Sequence, residues 1–464
     1  MTTYKLSFFI LLLSITIKLI GIHYTNFDLF GDEAQYWLWS QTPELGYYSK
    51  PPLLAWLLKL HTLLFGNSFE ALKYFPFIFY FFISYVVYLL SYELYQNKKL
   101  AIITALSFYL LPSVSVSSFL ISTDVILIFF CSLSLLILLR IRKKPSIDNF
   151  ILLGIFFGLS FLAKYAALYY LFSLILMIAL DRELRNAFAL NYINILVFLV
   201  CFFIVLLPNL LWNIQNGWIT LFHTADNVGL ERVNLNVIRG IEFLLLQSVM
   251  LGPVLFFSFI FYLKKIKFSF QTKFLLIFSL PVFCIIFIES ILVRANANWA
   301  AVGLIPIFIL ITNHAYSYSK KIIQYNNIVN FLFCFVLFCL ITTSSNLKIF
   351  DRINGISDFA NTLKANYLEK TNYLIIENRL LYSSLSYYLK NSNKILLTPH
   401  NPKNKITSHF HLSGPLKPYH NKNFIFIGNP DSLNYLEKNP RAIKQEEVNV
   451  KFFNNSIKIY EVVF

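Results

Sequence analysis

Charged residues are scarce in this sequence. Of its 464 residues only 13% are Asp, Glu, Lys or Arg, whereas 57% are hydrophobic and the mean hydropathy is +0.62. Soluble domains carry about 25% charged residues, so this composition excludes an ordinary soluble protein. Apolar runs long enough to span a bilayer, about 17 to 25 residues each, recur along the chain. We therefore predict a polytopic α-helical membrane protein.

Cysteine is also rare, and no segment predicted to face outward contains it. All five cysteines fall inside apolar runs. They are Cys131, Cys201, Cys284, Cys334 and Cys339. This placement excludes a disulfide framework and a CxxC metal site. We expect these thiols to pack as small hydrophobic groups.

The first apolar run, residues 6–22, lacks a small-residue cleavage site, so we interpret it as a retained helix. Lys and Arg concentrate in the connections on the side of the N-terminus, which places that side in the cytoplasm. This bias explains part of the excess of 39 basic over 23 acidic residues without a nucleic-acid partner. The sequence predicts eleven spans, at 6–22, 72–92, 100–118, 122–139, 149–163, 165–180, 191–210, 240–262, 274–292, 298–313 and 327–344.

The composition becomes polar after about residue 346, and no later segment is long enough to span a membrane. Short apolar runs at 373–377, 394–398 and 424–428 indicate strands. Residues 378–390, between the first two runs, form an amphipathic helical pattern. We predict that residues 347–464 are a small α/β domain, which an odd number of spans places on the outer face.

The membrane domain is predicted to cover residues 1–346, and its first outward loop covers 23–71. Within this loop, 33–40 has helical character with Tyr and Trp side chains, and the segment from Pro51 or Pro52 to about residue 64 reads as a second short helix. Aromatic side chains of this kind favour the headgroup level of a bilayer. The loop is therefore predicted to hold interfacial helices beside lipid headgroups.

Ionisable residues lie at the predicted outer ends of widely separated segments. Such groups are costly near bilayer depth and usually face a cavity or pathway. Their convergence on one face predicts a functional site there. They are Asp32, Glu33 and Lys50 in the first outward loop, Asp124 and Lys164 at the outer ends of later spans, His223 in the outward segment 211–239, and Arg294 between the ninth and tenth spans.

Most of these residues also have a structural interpretation. Lys164 fits a snorkelling side chain, and Asp124 fits a helix cap, a role that is compatible with catalysis. His223 fits a structural role better than a ligand role, and Arg294 fits general contact with lipid phosphates. The structural alternative is weakest for Asp32, because an acidic pair in an aromatic-rich loop does not help to determine the membrane topology.

Several stretches along the chain carry a family resemblance. They are GDEAQYWLWSQTPELGYYSKPPLLAWL (31–57), ISTDVILIFF (121–130), GLSFLAKYAALY (158–169), LLPNLLWNIQNGWITLFHTADNVG (206–229), RANANWAAVGLIPI (294–307), IIENRLLYSSLSYYLK (375–390) and SHFHLSGPL (408–416). Together they resemble the bacterial family 39-like glycosyltransferases of the GT-C membrane class, which are related to protein O-mannosyltransferases and the lipid A aminoarabinose transferase. The resemblance covers nearly the whole chain and implies a GT-C fold.

The resemblance implies roles for individual residues. Asp32, the first acid of the DE pair, matches the family's catalytic carboxylate, and Asp124 matches a second acidic residue. Lys50 of the KPP motif matches a contact to the lipid phosphate, and Arg294 matches a further phosphate contact. The remaining members of these motifs that we assign to substrate binding are Glu33, Tyr48, Lys164 and His223.

One departure from the family bears on metal binding. Relatives often have an acidic residue before the KPP lysine, and this sequence has Ser49. The departure weakens the case for the divalent metal that some relatives bind nearby, for which His223 is the candidate ligand. A divalent metal stays open, and no other cofactor is expected.

The resemblance implies a membrane glycosyltransferase that uses a polyprenyl-phosphate sugar at the outer face of a bacterial inner membrane. The donor carries its own phosphate leaving group, so we expect Asp32 to serve as general base toward an acceptor hydroxyl. Cations stabilise the departing phosphate, and a single displacement inverts the anomeric carbon. The acceptor is a lipid A, a glycan or a protein; the sequence does not choose among them.

Three alternatives stay open. A transporter or flippase of lipid-linked sugars predicts ionisable groups through the membrane midplane and symmetry between halves, and the sequence shows charges at one face and no repeat. A non-catalytic binding relative predicts unchanged carrier binding when Asp32 is replaced. An oligosaccharide-transferring ligase differs in the number of sugars on its donor.

Overall fold

The protein is described from a computed structural model that covers residues 3–190, 192–229, 233–265, 268–343, 347–369, 371–438, 441–450 and 455–464. The chain forms two compact units. The membrane unit comprises Met1–His23, Lys50–Leu54 and Phe65–Phe338. The sheet unit comprises Tyr24–Ser49, Ala55–Leu64 and Cys339–Phe464.

The described residues are mostly helical, as predicted. In chain order the α-helices are α1 Thr3–Tyr24, α2 Gly31–Gln41, α3 Leu53–Phe65, α4 Phe69–Tyr95, α5 Lys98–Tyr109, α6 Pro112–Ser117, α7 Thr123–Lys143, α8 Ile147–Ala163, α9 Leu168–Leu180, α10 Arg182–Ala189, α11 Tyr192–Gln215, α12 Ile219–Val228, α13 Val237–Met250, α14 Pro253–Phe261, α15 Phe270–Ile277, α16 Leu280–Leu292, α17 Ala301–Tyr318, α18 Lys320–Thr343, α19 Ile356–Asn366, α20 Arg379–Tyr388 and α21 Phe410–Ser413.

Within the described residues each predicted span coincides largely with helix, but not every one is a long continuous helix. Among the described residues seven helices are long and apolar enough to cross a membrane, or up to nine if each bent pair is one span. The bent pairs lie at Tyr165–Leu180 with Arg182–Ala189 and at Val237–Met250 with Pro253–Phe261. The other two predicted spans are shorter: α8 has 17 residues, and the span at 100–118 divides into α5 and α6. Pro112 causes that break, since it lacks an amide hydrogen and disfavours helix at the preceding residue.

Helix α8 packs against both α7 and α11 in the membrane unit. Gly154 and Gly158 of α8 form a small-xxx-small pair that faces α11. A Cβ added at Gly154 would lie 2.5 Å from the Phe198 carbonyl oxygen, and one added at Gly158 would lie 2.9 Å from the Val205 side chain. The two glycines therefore set the close approach that positions the turn after α8.

The sheet unit contains the predicted α/β arrangement. Its strands are β1 Tyr373–Ile376, β2 Ile395–Pro399, β3 Pro415–Leu416, β4 Phe424–Ile427, β5 Arg441–Val450 and β6 Asn455–Val463. They form one sheet in the order β3-β2-β1-β4-β6-β5. The first four are parallel, with Leu374 opposite Leu396 and Ile425, and β6 runs antiparallel to β4 and β5. The predicted strands and the helix between the first two are thus confirmed.

The core of the sheet unit is built from the inward side chains of these strands. Ile375, Phe424, Phe426 and Val462 are buried there, together with Leu416 of β3. The strands β1 and β4 are apolar at nearly every position, which is the pattern of parallel strands covered on both faces. Residue 346, the predicted domain boundary, lies outside the described residues, so that boundary stays a prediction.

Candidate functional site

Asp124 is held between two polar side chains in the membrane unit. It is the second residue of α7, and its Oδ1 lies 2.6 Å from Lys164 Nζ. Its Oδ2 accepts a hydrogen bond of 2.7 Å from Asn298 Nδ2. The three residues come from three separate stretches that resemble the family. The structure thus brings the predicted Asp124 and Lys164 together, and adds Asn298.

The backbone around each partner of Asp124 is fixed by further hydrogen bonds. Lys164 directly follows α8, and the next residue, Tyr165, donates to Asn209 Oδ1 at 2.8 Å. Asn298 lies in a short 3-10 turn, and Gln247 Nε2 donates to the carbonyl of the adjacent Ala297 at 2.9 Å. The positions of Lys164 and Asn298 are therefore fixed by contacts with α11 and α13 as well as by Asp124.

The other predicted residues of the membrane unit lie on different segments. Lys50 is partly buried just before α3, and Arg294 is exposed after α16. His223 lies on α12, where its Nε2 is 3.0 Å from Asn227 Nδ2, one turn further along. Across the described part of the chain, no three His, Cys, Asp or Glu side chains are placed to share a metal ion. Both oxygens of Asp124 accept hydrogen bonds from nitrogen donors.

Asp32 lies at the start of α2 in the sheet unit. Its Oδ1 is 3.4 Å from Arg379 Nη1, and its side chain is 41% exposed. The same Arg379 nitrogen donates to Gln35 Oε1 at 2.6 Å. Asp32 Oδ2 has no hydrogen bond to another residue that the structure describes. One oxygen is thus oriented by a cation, and the other is available to a substrate.

Glu33 differs from Asp32 although the two are adjacent. Its side chain is only 1% exposed, and its Oε2 accepts a hydrogen bond of 3.0 Å from the backbone N–H of Phe30. A carboxylate in the first turn also suits the positive end of the helix dipole. The geometry therefore gives Glu33 a role in starting α2, and its assignment to substrate binding stays a prediction.

The loop after α2 is rigidly packed within the sheet unit. Tyr47 is fully buried, and its ring stacks on Trp39 with centroids 4.3 Å apart. Its hydroxyl donates to the Trp39 carbonyl at 3.1 Å, and burial raises the pKa of Tyr47 above its usual value. His409 Nε2 lies 3.3 Å from Glu44 Oε1. Tyr48, the predicted substrate contact, follows Tyr47 and stays partly exposed.

Helix α20 packs directly on α2 and carries Arg379 as its first residue. Gly31 allows this approach, since a Cβ there would lie 3.0 Å from the Leu380 Cβ. Tyr388, on the last turn of α20, accepts a hydrogen bond of 3.1 Å from Leu29 N. Burial also raises the pKa of Tyr388 above its usual value. The contacts at both ends of α20 therefore fix the position of the segment that carries Asp32.

Three residues of the site, Arg379, Gln35 and Asn298, were not predicted from the sequence. Arg379 carries a usable signal, because a cation at the first position of a helix is unfavourable with the helix dipole. Such a placement suggests that the side chain is required for another contact. Asn298 was inside a quoted stretch, but nothing in its spacing distinguishes it from Asn296. The predicted convergence of all the site residues on one face stays a prediction.

Comparison with known proteins gives matches in sequence and in fold. The family described as dolichyl-phosphate-mannose-protein mannosyltransferase matches residues 49–212. A lipid A galacturonosyltransferase from Rhizobium johnstonii, RgtD, is 31% identical over 288 residues, which are 61% of this chain and 60% of that protein. The match therefore spans about three fifths of the length of this curated relative.

Solved structures of ArnT from Cupriavidus metallidurans share the fold. The apo structure has a TM-score of 0.68 at 11% identity, and the match covers 97% of both chains. The structure with undecaprenyl phosphate has a TM-score of 0.66 at 12% identity, again over 97% of both chains. At this identity the likeness establishes the fold, including the helical membrane part and the small C-terminal sheet domain.

Proposed function

Because the chain is related in sequence and in fold to the GT-C glycosyltransferases, we propose that it transfers a sugar from a polyprenyl-phosphate carrier to an acceptor at the outer face of the bacterial inner membrane. The observation that carries this proposal is the 31% identity to a lipid A galacturonosyltransferase. The same similarity makes a lipid A-like glycolipid the acceptor that we favour over a protein. The fold of a structure with bound undecaprenyl phosphate supports the choice of carrier.

The proposed reaction is a single displacement. The acceptor hydroxyl gives its proton to Asp32 as it attacks the anomeric carbon, and the bond from that carbon to the phosphate oxygen breaks. The electron pair leaves with the polyprenyl phosphate, and the anomeric configuration inverts. The uncommitted Oδ2 of Asp32 supports its role as the base, while Arg379 holds Oδ1.

The remaining residues are assigned by charge and by their motifs. Lys50 and Arg294 are proposed to stabilise the negative charge on the departing phosphate. Asp124 is proposed as a second catalytic carboxylate. Lys164 and Asn298 hold it in one orientation. Tyr48 and His223 stay proposed substrate contacts.

The experiment compares the wild-type chain with Asp32→Asn in proteoliposomes that contain lipid A and a panel of single-sugar polyprenyl-phosphate donors. Donor binding and sugar transfer are measured separately. We expect Asp32→Asn to bind donor normally and to lose transfer by about 10²- to 10⁴-fold, as when an acid–base group is removed. Asp358→Asn is the matched control, because Asp358 is an exposed aspartate in the first turn of α19.

The other outcomes separate the alternatives. Undiminished transfer by Asp32→Asn would contradict the role of Asp32 as base. Donor binding without transfer by the wild-type chain would favour a binding protein. Movement of the lipid-linked sugar across the vesicle bilayer without transfer would favour a flippase. Activity only with donors that carry an oligosaccharide would indicate a ligase.

A further inference from the structure

A polar cleft of about 540 Å³ opens at the carboxyl ends of the parallel strands in the sheet unit. Glu377 follows β1, His400 follows β2, and Asp431 follows β4 closely, and all three line the cleft. The residues predicted from sequence as catalytic or substrate-binding are not among its described lining residues.

The strand order places this cleft where open parallel sheets usually bind ligands. From β1 the chain continues to β2 on one side, while β4 lies on the other side of β1. The connections after β1 and β4 therefore diverge and leave a crevice beyond the carboxyl ends of the strands. Gly428, just after β4, leaves room for the Glu377 side chain, since a Cβ there would lie 2.6 Å from Glu377 Oε2.

The walls of the cleft present polar groups that are not used within the fold. The side chains of Asn404, Asp431 and Asn434 make no hydrogen bond to any residue in the described part of the chain. Carboxylate and amide groups of this kind can each bind two neighbouring hydroxyls. The rings of His400 and His411 stack with centroids 4.3 Å apart and form a flat face in the same cleft.

The charge of the cleft disfavours a phosphate. Two carboxylates, those of Glu377 and Asp431, accompany a single lysine, Lys405. Burial lowers the pKa of His400, and burial together with the neighbouring His400 lowers the pKa of His411 to about 4. Thr407 N donates to His411 Nδ1 at 3.3 Å, which is the pattern of an imidazole that is neutral. Both rings are therefore uncharged at neutral pH.

The nearby helix start does not supply a phosphate site either. The N-terminus of α20 is capped by Asn378, whose Oδ1 accepts hydrogen bonds from Leu380 N at 3.0 Å and from Leu381 N at 3.1 Å. The loop after β1 begins with Glu377 and contains no glycine. A dinucleotide or phosphate site at this position uses a glycine-rich turn and free helix N–H groups.

We propose that this cleft binds a neutral saccharide. Asn404, Asp431 and Asn434 would bind vicinal hydroxyls, and the stacked imidazoles would lie against the apolar face of a sugar ring. Polar groups that converge in one concave site fix the orientation of a small-molecule ligand. The proposal is independent of the transfer reaction, because binding here needs neither donor nor catalysis.

The test uses the full-length chain in detergent on an array that carries neutral oligosaccharides and their phosphorylated counterparts. No polyprenyl donor is present, so a failure here does not bear on transfer. We expect retention on a subset of neutral saccharides. The double variant Asp431→Ala with Asn434→Ala should weaken this binding about tenfold or more, the loss expected of two hydrogen bonds.

Asn421→Ala is the matched control, because Asn421 is an exposed asparagine of the same unit outside the lining of the cleft. Asn404→Ala provides an independent single variant should the double variant unfold at a lower temperature. The proposal is wrong if the wild-type chain retains no neutral saccharide, if it prefers the phosphorylated forms, or if folded cleft variants bind as tightly as the wild type.

Discussion

The ammonium group of Lys164 lies 2.6 Å from Oδ1 of Asp124, although 40 positions separate the two residues in the sequence. Their side chains are only 19% and 15% exposed, so the pair is largely removed from water. Asn298 donates a hydrogen bond to the second carboxylate oxygen of Asp124. Each charge is therefore compensated by the other, and the carboxylate of Asp124 is fixed in one orientation.

Breaking this ion pair from either side should destabilise the membrane unit. Asp124→Asn leaves the Lys164 charge without its partner, and Lys164→Met does the same for Asp124. We expect each single change to cost about 2–4 kcal/mol, and the double variant to cost less than the sum, because no uncompensated charge remains. Thermal unfolding of the four proteins in the same detergent gives the coupling energy.

Asp148→Asn is the control for Asp124→Asn, because Asp148 also occupies the second position of its helix but is exposed. It should leave the unfolding temperature nearly unchanged. Strictly additive effects of the Asp124 and Lys164 changes would show that the two side chains do not interact in the membrane.

Arg379 should act as a positioning residue for Asp32. Its Nη1 lies 3.4 Å from Asp32 Oδ1 and donates to Gln35 Oε1 at 2.6 Å, so Arg379→Gln would release the carboxylate. We expect transfer to fall about tenfold with donor binding preserved, because misorientation of a reacting group lowers the rate without removing it. Steady-state kinetics with a saturating donor provide the measurement.

The position of Arg379 also allows a test by combination. In the Asp32→Asn background, Arg379→Gln should have little further effect on transfer. With Asp32 intact, Arg379→Lys should retain more transfer activity than Arg379→Gln. Arg352→Gln is the control, since Arg352 is an exposed arginine of the same unit. Equal losses from Arg379→Gln in both backgrounds would mean that Arg379 acts on something other than Asp32.

The close approach of α8 and α11 should not tolerate a side chain at Gly154. A Cβ there meets the Phe198 carbonyl oxygen at 2.5 Å and the Cys201 Cβ at 2.9 Å, so the helices must separate. We expect Gly154→Val to destabilise the protein by about 1–3 kcal/mol, the usual cost of overpacking. Thermal unfolding should show no comparable loss for Ile155→Val, which lies on a partly exposed face. Equal stability of the two variants would refute the packing argument.

Local patterns were enough to predict β1, β2, β4 and α20 of the sheet unit, whereas β3, β5 and β6 were not predicted. The strands at 373–376 and 424–427 are short apolar runs bounded by polar residues, and the amphipathic pattern of 378–390 has its counterpart in α20. These features depend on neighbours in the sequence, so periodicity reports them. The span at 100–118 was harder, because the pattern shows hydrophobicity and does not show that Pro112 divides the helix.

The contacts of the site could not be predicted in the same way. The pairing of Asp124 with Lys164 and Asn298 joins segments that are distant in sequence, and a single sequence carries no signal for such a contact. The DE pair illustrates a different limit. Two adjacent acids look equivalent in sequence, yet the turn of α2 buries Glu33 as a cap and leaves Asp32 open to solvent.

His411 should make the sheet unit less stable in mild acid. Burial and the stacked His400 lower its folded pKa to about 4, whereas an unfolded histidine titrates near 6.5. Between these values the unfolded chain binds more protons, so stability falls as pH decreases from about 6.5 to about 4. The ring is partly exposed, so we expect a contribution of about 1 kcal/mol to the free energy of unfolding.

His411→Gln should reduce this loss of stability, as measured by hydrogen exchange of β2 and residues 408–416 with correction for intrinsic rates. His23→Gln, at an exposed histidine outside the sheet unit, should not. An unchanged pH dependence in His411→Gln would assign the effect to another group.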